Sequence, residues 1–468
     1  MNTIEYVKEG EGDFAFDMPL VIIGGGACGL VAALAAADQG VECVVLERDP
    51  FPRGSTFMSS GFIPASNTRY QQACGVDDTP AIMASDIMGK NHHEADPAIV
   101  DALSQHSGPV IEWLADQHNI PFELVEGFLY PGHTRMRMHC TPRRTGEELM
   151  ACLIQAVENA EIPLICDAQV ETLCVGEEDR IKGVVYTRPD GQVERIGCEA
   201  LLLACNGFGG NPELVERFIP AMKGGLYYGH EGNQGDALLW GEKLKAATQD
   251  LGAYQGHGSL ATPHQILISW AVMMQGGIQV NQLGERFSNE NNGYSEQAAN
   301  VLRQPDGIAY NLFDERIHQE LLKFEDYRNA FETGAVKTFE TLADLAKGVD
   351  MPVDALQATF ADMEKCRRGE QVDAFGRQFD TKLDLNAPYY LIKVTGALFH
   401  TQGGLDVDVQ ARVKKQDGSV FSNLFAAGGA ARGVSGSNDS GYLSGNGLLS
   451  AVVMGQIAGS SAAKLVTA

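Results

Sequence analysis

Three glycines and a glutamate carry the first chemical signal in this chain. Gly24, Gly26 and Gly29 stand in G-x-G-x-x-G spacing, directly after Leu20-Val21-Ile22-Ile23 and before an alanine-rich stretch. Gly24 suits a tight turn, Gly26 lets backbone approach a pyrophosphate, and Gly29 lets a helix pack closely on a strand. The helix N-terminus, beginning near Ala27, would turn free N–H groups toward the anion. Glu47-Arg48 ends the next apolar run about 20 residues on, where a carboxylate accepts hydrogen bonds from a ribose. The competing reading is a glycine turn with no ligand, and the strand-before, helix-after context argues against it. The fingerprint alone does not separate FAD from NAD.

Two further stretches separate them. Arg53-Gly54-Ser55-Thr56 and Ser59-Ser60-Gly61 are small residues that can run along a flavin. Far downstream, Phe425-Ala426-Ala427-Gly428-Gly429 precedes Gly445-Asn446-Gly447-Leu448-Leu449 and a final helix. A helix N-terminus there can stabilise negative charge on a reduced flavin ring. A nicotinamide enzyme has no need of this return, so FAD is the expected cofactor.

The elements that must position these residues follow from pattern. Residues 1–17 read as an extension. A strand over 20–23, a helix over 30–38 and a strand over 41–46 make a βαβ opening. A helix is expected over 145–160, strands over 170–174, 181–187, 192–198 and 200–204, helical patterns over 236–248 and 339–367, a strand over 424–428, and a last helix over 446–466. The chain has 468 residues, 44% of them hydrophobic and 21% charged, enough for two or three domains and an ordinary globular core. Its net charge of −26 disfavours phosphate backbones and anionic membranes, so no nucleic-acid partner is expected. The ten cysteines form no CxxC pair, which fits a reducing compartment and argues against zinc, iron–sulfur or attached haem; no metal site is expected. Residues 1–17 lack a basic and apolar leader, and no run of about 18 apolar residues is seen, so a cytoplasmic protein without a membrane span is expected.

The chain resembles the FAD-dependent fumarate reductase/succinate dehydrogenase flavoprotein superfamily over about residues 18–462. The resemblance rests on the N-terminal fingerprint, Ala204-Cys205-Asn206-Gly207-Phe208, Gly232-Asn233-Gln234-Gly235-Asp236, Gly284-Glu285-Arg286-Phe287-Ser288-Asn289-Glu290, His400-Thr401-Gln402-Gly403-Gly404 and the Gly445-Asn446-Gly447 turn. It implies an α/β fold: a Rossmann-like FAD domain of residues 18–238 and 392–468, with an inserted α+β capping domain of residues 239–391. It adds Val170, Ala204, Gly207 and Asp236 to the cofactor residues, beside Gly24, Gly26, Ala27, Gly29, Glu47, Arg48, Ser55, Thr56, Ser60, Gly61, Gly428, Gly429, Gly447, Leu448 and Leu449. Subfamilies that tether FAD carry a histidine within 55–61; this chain has none, so noncovalent FAD is implied.

Fumarate reductases of the family hold a dicarboxylate with two arginines and two histidines. One arginine position is Tyr294 here, the other falls in Gly441-Tyr442-Leu443-Ser444-Gly445-Asn446, one histidine is His257, and the second falls on Phe399 beside His400. The arginine that relays protons falls near Met273. A phenol or phenyl ring cannot replace bidentate guanidinium recognition of carboxylates, so the expected pocket is aromatic and suits a neutral ring bearing a ketone. Asn289-Glu290-Asn291-Asn292-Gly293-Tyr294 and Tyr442 resemble the tyrosine pair of the 3-ketosteroid dehydrogenases, with wording closer to the Δ4 branch.

The resulting mechanism gives Tyr442, with a backbone N–H near Gly445 or Asn446, the task of polarising the ketone oxygen. Tyr294 removes the α proton, which requires a depressed pKa or an alkaline optimum. His257 is either a substrate contact or a satisfied core histidine, and Tyr130 either a substrate contact or a turn residue. His133, His139, Arg143 and Arg144 read as surface or hydrogen-bonding residues. The leading expectation is a dehydrogenase that desaturates a cyclic ketone and passes electrons to an acceptor that the sequence does not name. The same chemistry reversed, an ene-reductase for an enone or unsaturated acid, is the alternative. A flavin-binding subunit without chemistry is the third reading, and tyrosines at both catalytic positions argue against it.

Overall fold

The computed structural model describes residues 2–8, 12–127, 129–379 and 384–468. Two large sheets, with two small ones of two and three strands, are formed by the described residues. The first has a parallel centre in the order Leu164–Ile165, Cys43–Leu46, Phe16–Ile23, Val193–Leu203, with Val420–Ala426 parallel to the end of Val193–Leu203. Leu20 to Ile23, Leu201 to Leu203 and Leu424 to Ala426 are nearly all fully buried, as a strand covered on both faces requires. The antiparallel strands Gln169–Val175 and Ile181–Thr187 widen this sheet on one side.

Helix Ala27–Ala37 follows the first central strand, and the C-terminal helix Gly455–Thr467 lies on it. Small residues permit that approach. A Cβ at Gly459 would overlap the Ala32 carbonyl oxygen, and one at Gly455 would crowd Cys28. Helix Gly146–Asn159 starts at Thr145, whose hydroxyl caps the Glu148 N–H.

The second sheet is organised on Tyr389–Thr401, paired with Tyr254–Ala261, Ile308–Asp314, Val336–Phe339 and Leu226–Tyr227. That strand runs across the expected boundary at 391/392, and Leu226–Tyr227 joins this sheet from the N-terminal side of 238. Residues 380–383 of the expected cap lie outside the described residues.

Several expectations need correction. Thr3–Tyr6, read as extension, is an edge strand parallel to Gln169–Val175, and the first central strand begins at Phe16. Residues 192–198 and 200–204 form one strand, Val193–Leu203, because its first half pairs with Ile181–Thr187 and its second with Val420–Ala426. The 339–367 pattern divides into helices Leu342–Gly348 and Val353–Arg367, with Phe339 in a strand. The last helix contains a π turn at Ser450–Met454. By length and composition Asn446–Thr467 could cross a membrane, contrary to the expectation of no such run, but 61% of its apolar window is buried against the core of the first sheet.

Candidate active site

One long cavity runs from the first βαβ turn to the seam between the sheets. At the nucleotide end the wall is built from Gly24, Gly26 and Ala27. Gly24 has φ +111°, and a Cβ there would press on the Ala204 backbone; Gly26 would meet nothing, so the space over it is open. Gly26 is the N-cap of helix Ala27–Ala37 and makes no side-chain cap, which leaves the first N–H groups turned to the cavity. The Glu47 carboxylate accepts from Gly25 N–H (2.7 Å) and Asp49 N–H (2.9 Å), and burial raises its pKa. Arg48 donates to the Gly232 carbonyl at 3.0 Å, and Asp236 accepts from Asn2 at 2.8 Å. The Trp240 indole N–H also lines the cavity and is buried with no partner among the described residues. An open helix start, a glycine cradle, a ribose-type carboxylate and an orphan donor together fit FAD.

Further along, Ser55, Thr56, Ser60, Val170 and Ala204 line the same cavity. Gly428, Gly429, Gly447 and Leu448 do so from the C-terminal side. The Ser55 hydroxyl accepts from Asn233 (2.8 Å) and from the His230 N–H (3.2 Å). Five expected site residues are not in the wall. Gly29 serves packing: a Cβ would overlap the Gly24 carbonyl oxygen. Gly61 has φ +69° and abuts the Thr145 backbone, and Gly207 abuts Thr401. Leu449 is a core residue with no exposure. Asn446, proposed to meet the substrate, is fully buried, and its amide donates to Ser435 at 3.3 Å.

At the other end Tyr130, His257, Tyr294, Phe399, Tyr442 and Gly445 do come together in the wall. Tyr294 lies in the first turn of helix Tyr294–Leu302, behind Gly293 at φ +143°, and Tyr442 precedes the helix start at Asn446. The His257 ring stacks on Tyr294 at 4.7 Å and on Phe399 at 5.4 Å, while Tyr294 meets Tyr442 edge-on at 6.1 Å. The two phenols are electrostatically coupled, and Ser444 lies close enough to Tyr294 to bear on its ionisation. Gly447 N–H reaches the Tyr442 oxygen at 3.5 Å. With its oxygen receiving backbone donors, Tyr442 is left to turn its own proton to the cavity.

Burial sets the electrostatics here. It pushes Tyr442 up to about 12 and Tyr294 well above 10, the nearby Tyr442 adding to the latter. The depressed pKa contemplated for Tyr294 is therefore absent. His257 falls to about 3 through burial and is neutral. Its Nδ1 accepts from Ser259 N–H at 3.1 Å, so Nε2 carries the proton. Tyr130 hydrogen-bonds to Ser269 and is raised to about 12 by burial. Met273, at the relay position, is fully buried and outside the wall.

Pattern reading missed several wall residues: Trp270, Tyr228, Ser269, Asn206 and Ser444. Ser444 stood inside the tyrosine loop, and Asn206 inside the glycine motif beside Ser55, so both had a sequence signal. His133 and His139 are buried rather than superficial. His133 Nε2 donates to the Ser444 carbonyl at 2.9 Å, and His139 hydrogen-bonds Thr68 at 2.8 Å.

Comparison with known proteins agrees with this geometry. Residues 20–448 match the family model described as FAD binding domain. NADH:fumarate oxidoreductase of Klebsiella pneumoniae is 26% identical over 449 residues, 95% of this chain but 47% of that protein, so the chain spans about half the length of this relative. A flavocytochrome c3 fumarate reductase in an open conformation superposes with a TM-score of 0.82 at 26% identity, over 97% of this chain and 80% of the other. The fold is also that of 3-ketosteroid-Δ4-(5α)-dehydrogenase from Rhodococcus jostii RHA1, with a TM-score of 0.76 at 24% identity over 96% and 98% of the two chains. The chain belongs to the FAD binding domain family, among the flavoprotein oxidoreductases of the fumarate reductase superfamily.

Proposed function

We propose that this oxidoreductase desaturates an uncharged cyclic ketone, a 3-ketosteroid or a cyclohexanone derivative, forming the C=C bond α,β to the carbonyl. The observation that supports this reading is the edge-on Tyr294–Tyr442 pair in a wall of rings. Among the described lining residues Arg48 is the one Lys or Arg side chain, and it is engaged at the nucleotide end. A dicarboxylate buried here would lack guanidinium partners, a cost that a neutral ring avoids.

Tyr442 donates a hydrogen bond to the ketone oxygen, steadied by the N–H groups near its own oxygen, and so acidifies the α C–H. Tyr294 takes the α proton and can pass it along its contact with Ser444. Neutral His257 holds the Tyr294 ring by stacking. FAD, when bound, supplies the two-electron acceptor for the hydrogen that leaves the β carbon. Residues 55–61 contain no histidine, which supports noncovalent attachment.

The reverse reaction is the second reading, and one observation favours it. Both phenols are protonated at neutral pH, which suits them to donate rather than accept a proton. The relative from Klebsiella is named for fumarate reduction. Anaerobic titration of the yellow protein decides. Bleaching of the flavin band by a saturated 3-ketosteroid or cyclohexanone, and not by succinate, supports desaturation. Reoxidation of the reduced protein by an enone alone supports the reverse. Bleaching by succinate overturns both ketone readings.

A further inference from the structure

The cavity wall has four charged side chains among the described residues: Glu47, Arg48, Asp236 and Asp326. The first three gather at the nucleotide end, where Glu47 holds Gly25 and Arg48 holds Gly232, whose loop leads into Asp236. Asp326 stands alone at the substrate end. It lies in the first turn of helix Glu325–Glu332, near Tyr228, whose pKa its charge helps to raise after burial. Tyr228 packs on Phe399 at 4.9 Å, Phe399 on His257 at 5.4 Å, and His257 on Tyr294 at 4.7 Å. A ladder of rings thus joins the reacting phenols at one end to a single carboxylate at the other. Arg143 reaches Glu325 at 3.7 Å and ties the same helix to the FAD-domain side of the opening.

We propose that Asp326 is a distal substrate-recognition residue, selecting cyclic ketones whose far end carries a hydroxyl group able to donate a hydrogen bond. This rests on the cyclic-ketone reading above. An apolar ladder gives contact with ring faces but no polarity to orient them. One acceptor at its end supplies that orientation, because a hydroxyl hydrogen-bonded to a carboxylate is stronger than one left in a ring-lined wall. Burial and the neighbouring Glu325 raise the Asp326 pKa, so a second acid placed there adds to a negative charge the site already disfavours, and dicarboxylates are turned away from this end of the cavity.

The test uses the FAD-loaded full chain and two saturated 3-ketosteroids, alike at the reacting ring, one with a 17β-hydroxyl and one with a 17-ketone. Dissociation constants are read from the flavin absorbance shift for the wild type, Asp326→Leu and Asp326→Glu. The hydroxyl compound should bind the wild type about tenfold tighter. Asp326→Leu should erase that preference while Asp326→Glu keeps most of it. Equal binding of both compounds to the wild type, or a preference that survives Asp326→Leu, overturns the role of Asp326 and leaves the ketone reading standing. If neither compound shifts the wild-type flavin spectrum, the ketone reading falls, and this inference with it.

Discussion

Tyr294 carries the sharpest consequence at the scale of one residue. Its hydroxyl touches Tyr442 and Ser444, and its ring stacks on His257. Tyr294→Phe keeps the ring and the packing and removes only the group that handles the proton. Positioned proton transfer is worth roughly 10²–10⁴-fold, so turnover should fall by about that factor while FAD content and thermal midpoint stay near wild type. Steady-state rates with an artificial acceptor check it; near wild-type desaturation would remove Tyr294 from the mechanism. The pH dependence has a definite sign. A desaturating Tyr294 must be a phenolate, and burial places its pKa well above 10. The phenolate fraction therefore grows with every step toward that pKa, and kcat/KM should still be rising at pH 9.5. In the reducing direction the protonated phenol is the active form, and the profile should be flat through pH 9. The two profiles distinguish the two directions on one enzyme.

Between helices, an ion pair helps to fix the turn that carries Tyr294. Lys90, at the end of helix Pro80–Lys90, bridges the Glu296 carboxylate and the Asn292 carbonyl (3.0 Å), which flank Tyr294 on either side. Both side chains are mostly buried, so Lys90→Met strands Glu296 and should lower stability by ~1–2 kcal/mol. It should also lower kcat about tenfold with less effect on KM, and Lys90→Arg should restore part of both; an unchanged kcat would confine Lys90 to stability. This contact joins positions 206 apart in sequence, and nothing in either local pattern announces it. The βαβ opening was legible because strand, glycine spacing and helix lie within 30 residues and each obeys a local rule. The aromatic pocket was legible as types at motif positions, Tyr294, Tyr442 and Phe399. The edge strand Thr3–Tyr6 was not, since its pairing with Gln169–Val175 is long-range. Asn446 and Leu449 were misplaced for another reason: three apart at a helix start they share the core-facing side, while Gly447, Leu448 and Ala451 face the cavity, and the motif does not say which side is which.

For the whole molecule, the cavity is what joins distant parts of the chain. Its walls come from residues 23–62, 130–170, 204–240, 255–326, 399–400 and 428–451. A ligand along this cavity touches every one of these parts and so must stabilise their common arrangement by mass action. Binding of FAD at 100 times its dissociation constant adds about 2.7 kcal/mol to the folded state. Apoprotein should therefore unfold several degrees below the FAD-loaded protein, with one shared midpoint for the flavin fluorescence and tryptophan signals, since Trp240 and Trp270 line opposite ends of the cavity. Acid precipitation of the loaded protein should leave the yellow colour in the supernatant, because no histidine lies within 55–61. Colour retained in the washed pellet would mean a covalent bond to some other side chain. A flavin signal lost well below the tryptophan transition would mean that the two ends of the cavity open separately, and the ring ladder from Tyr294 to Tyr228 would then have to be read as a movable jaw rather than a fixed wall.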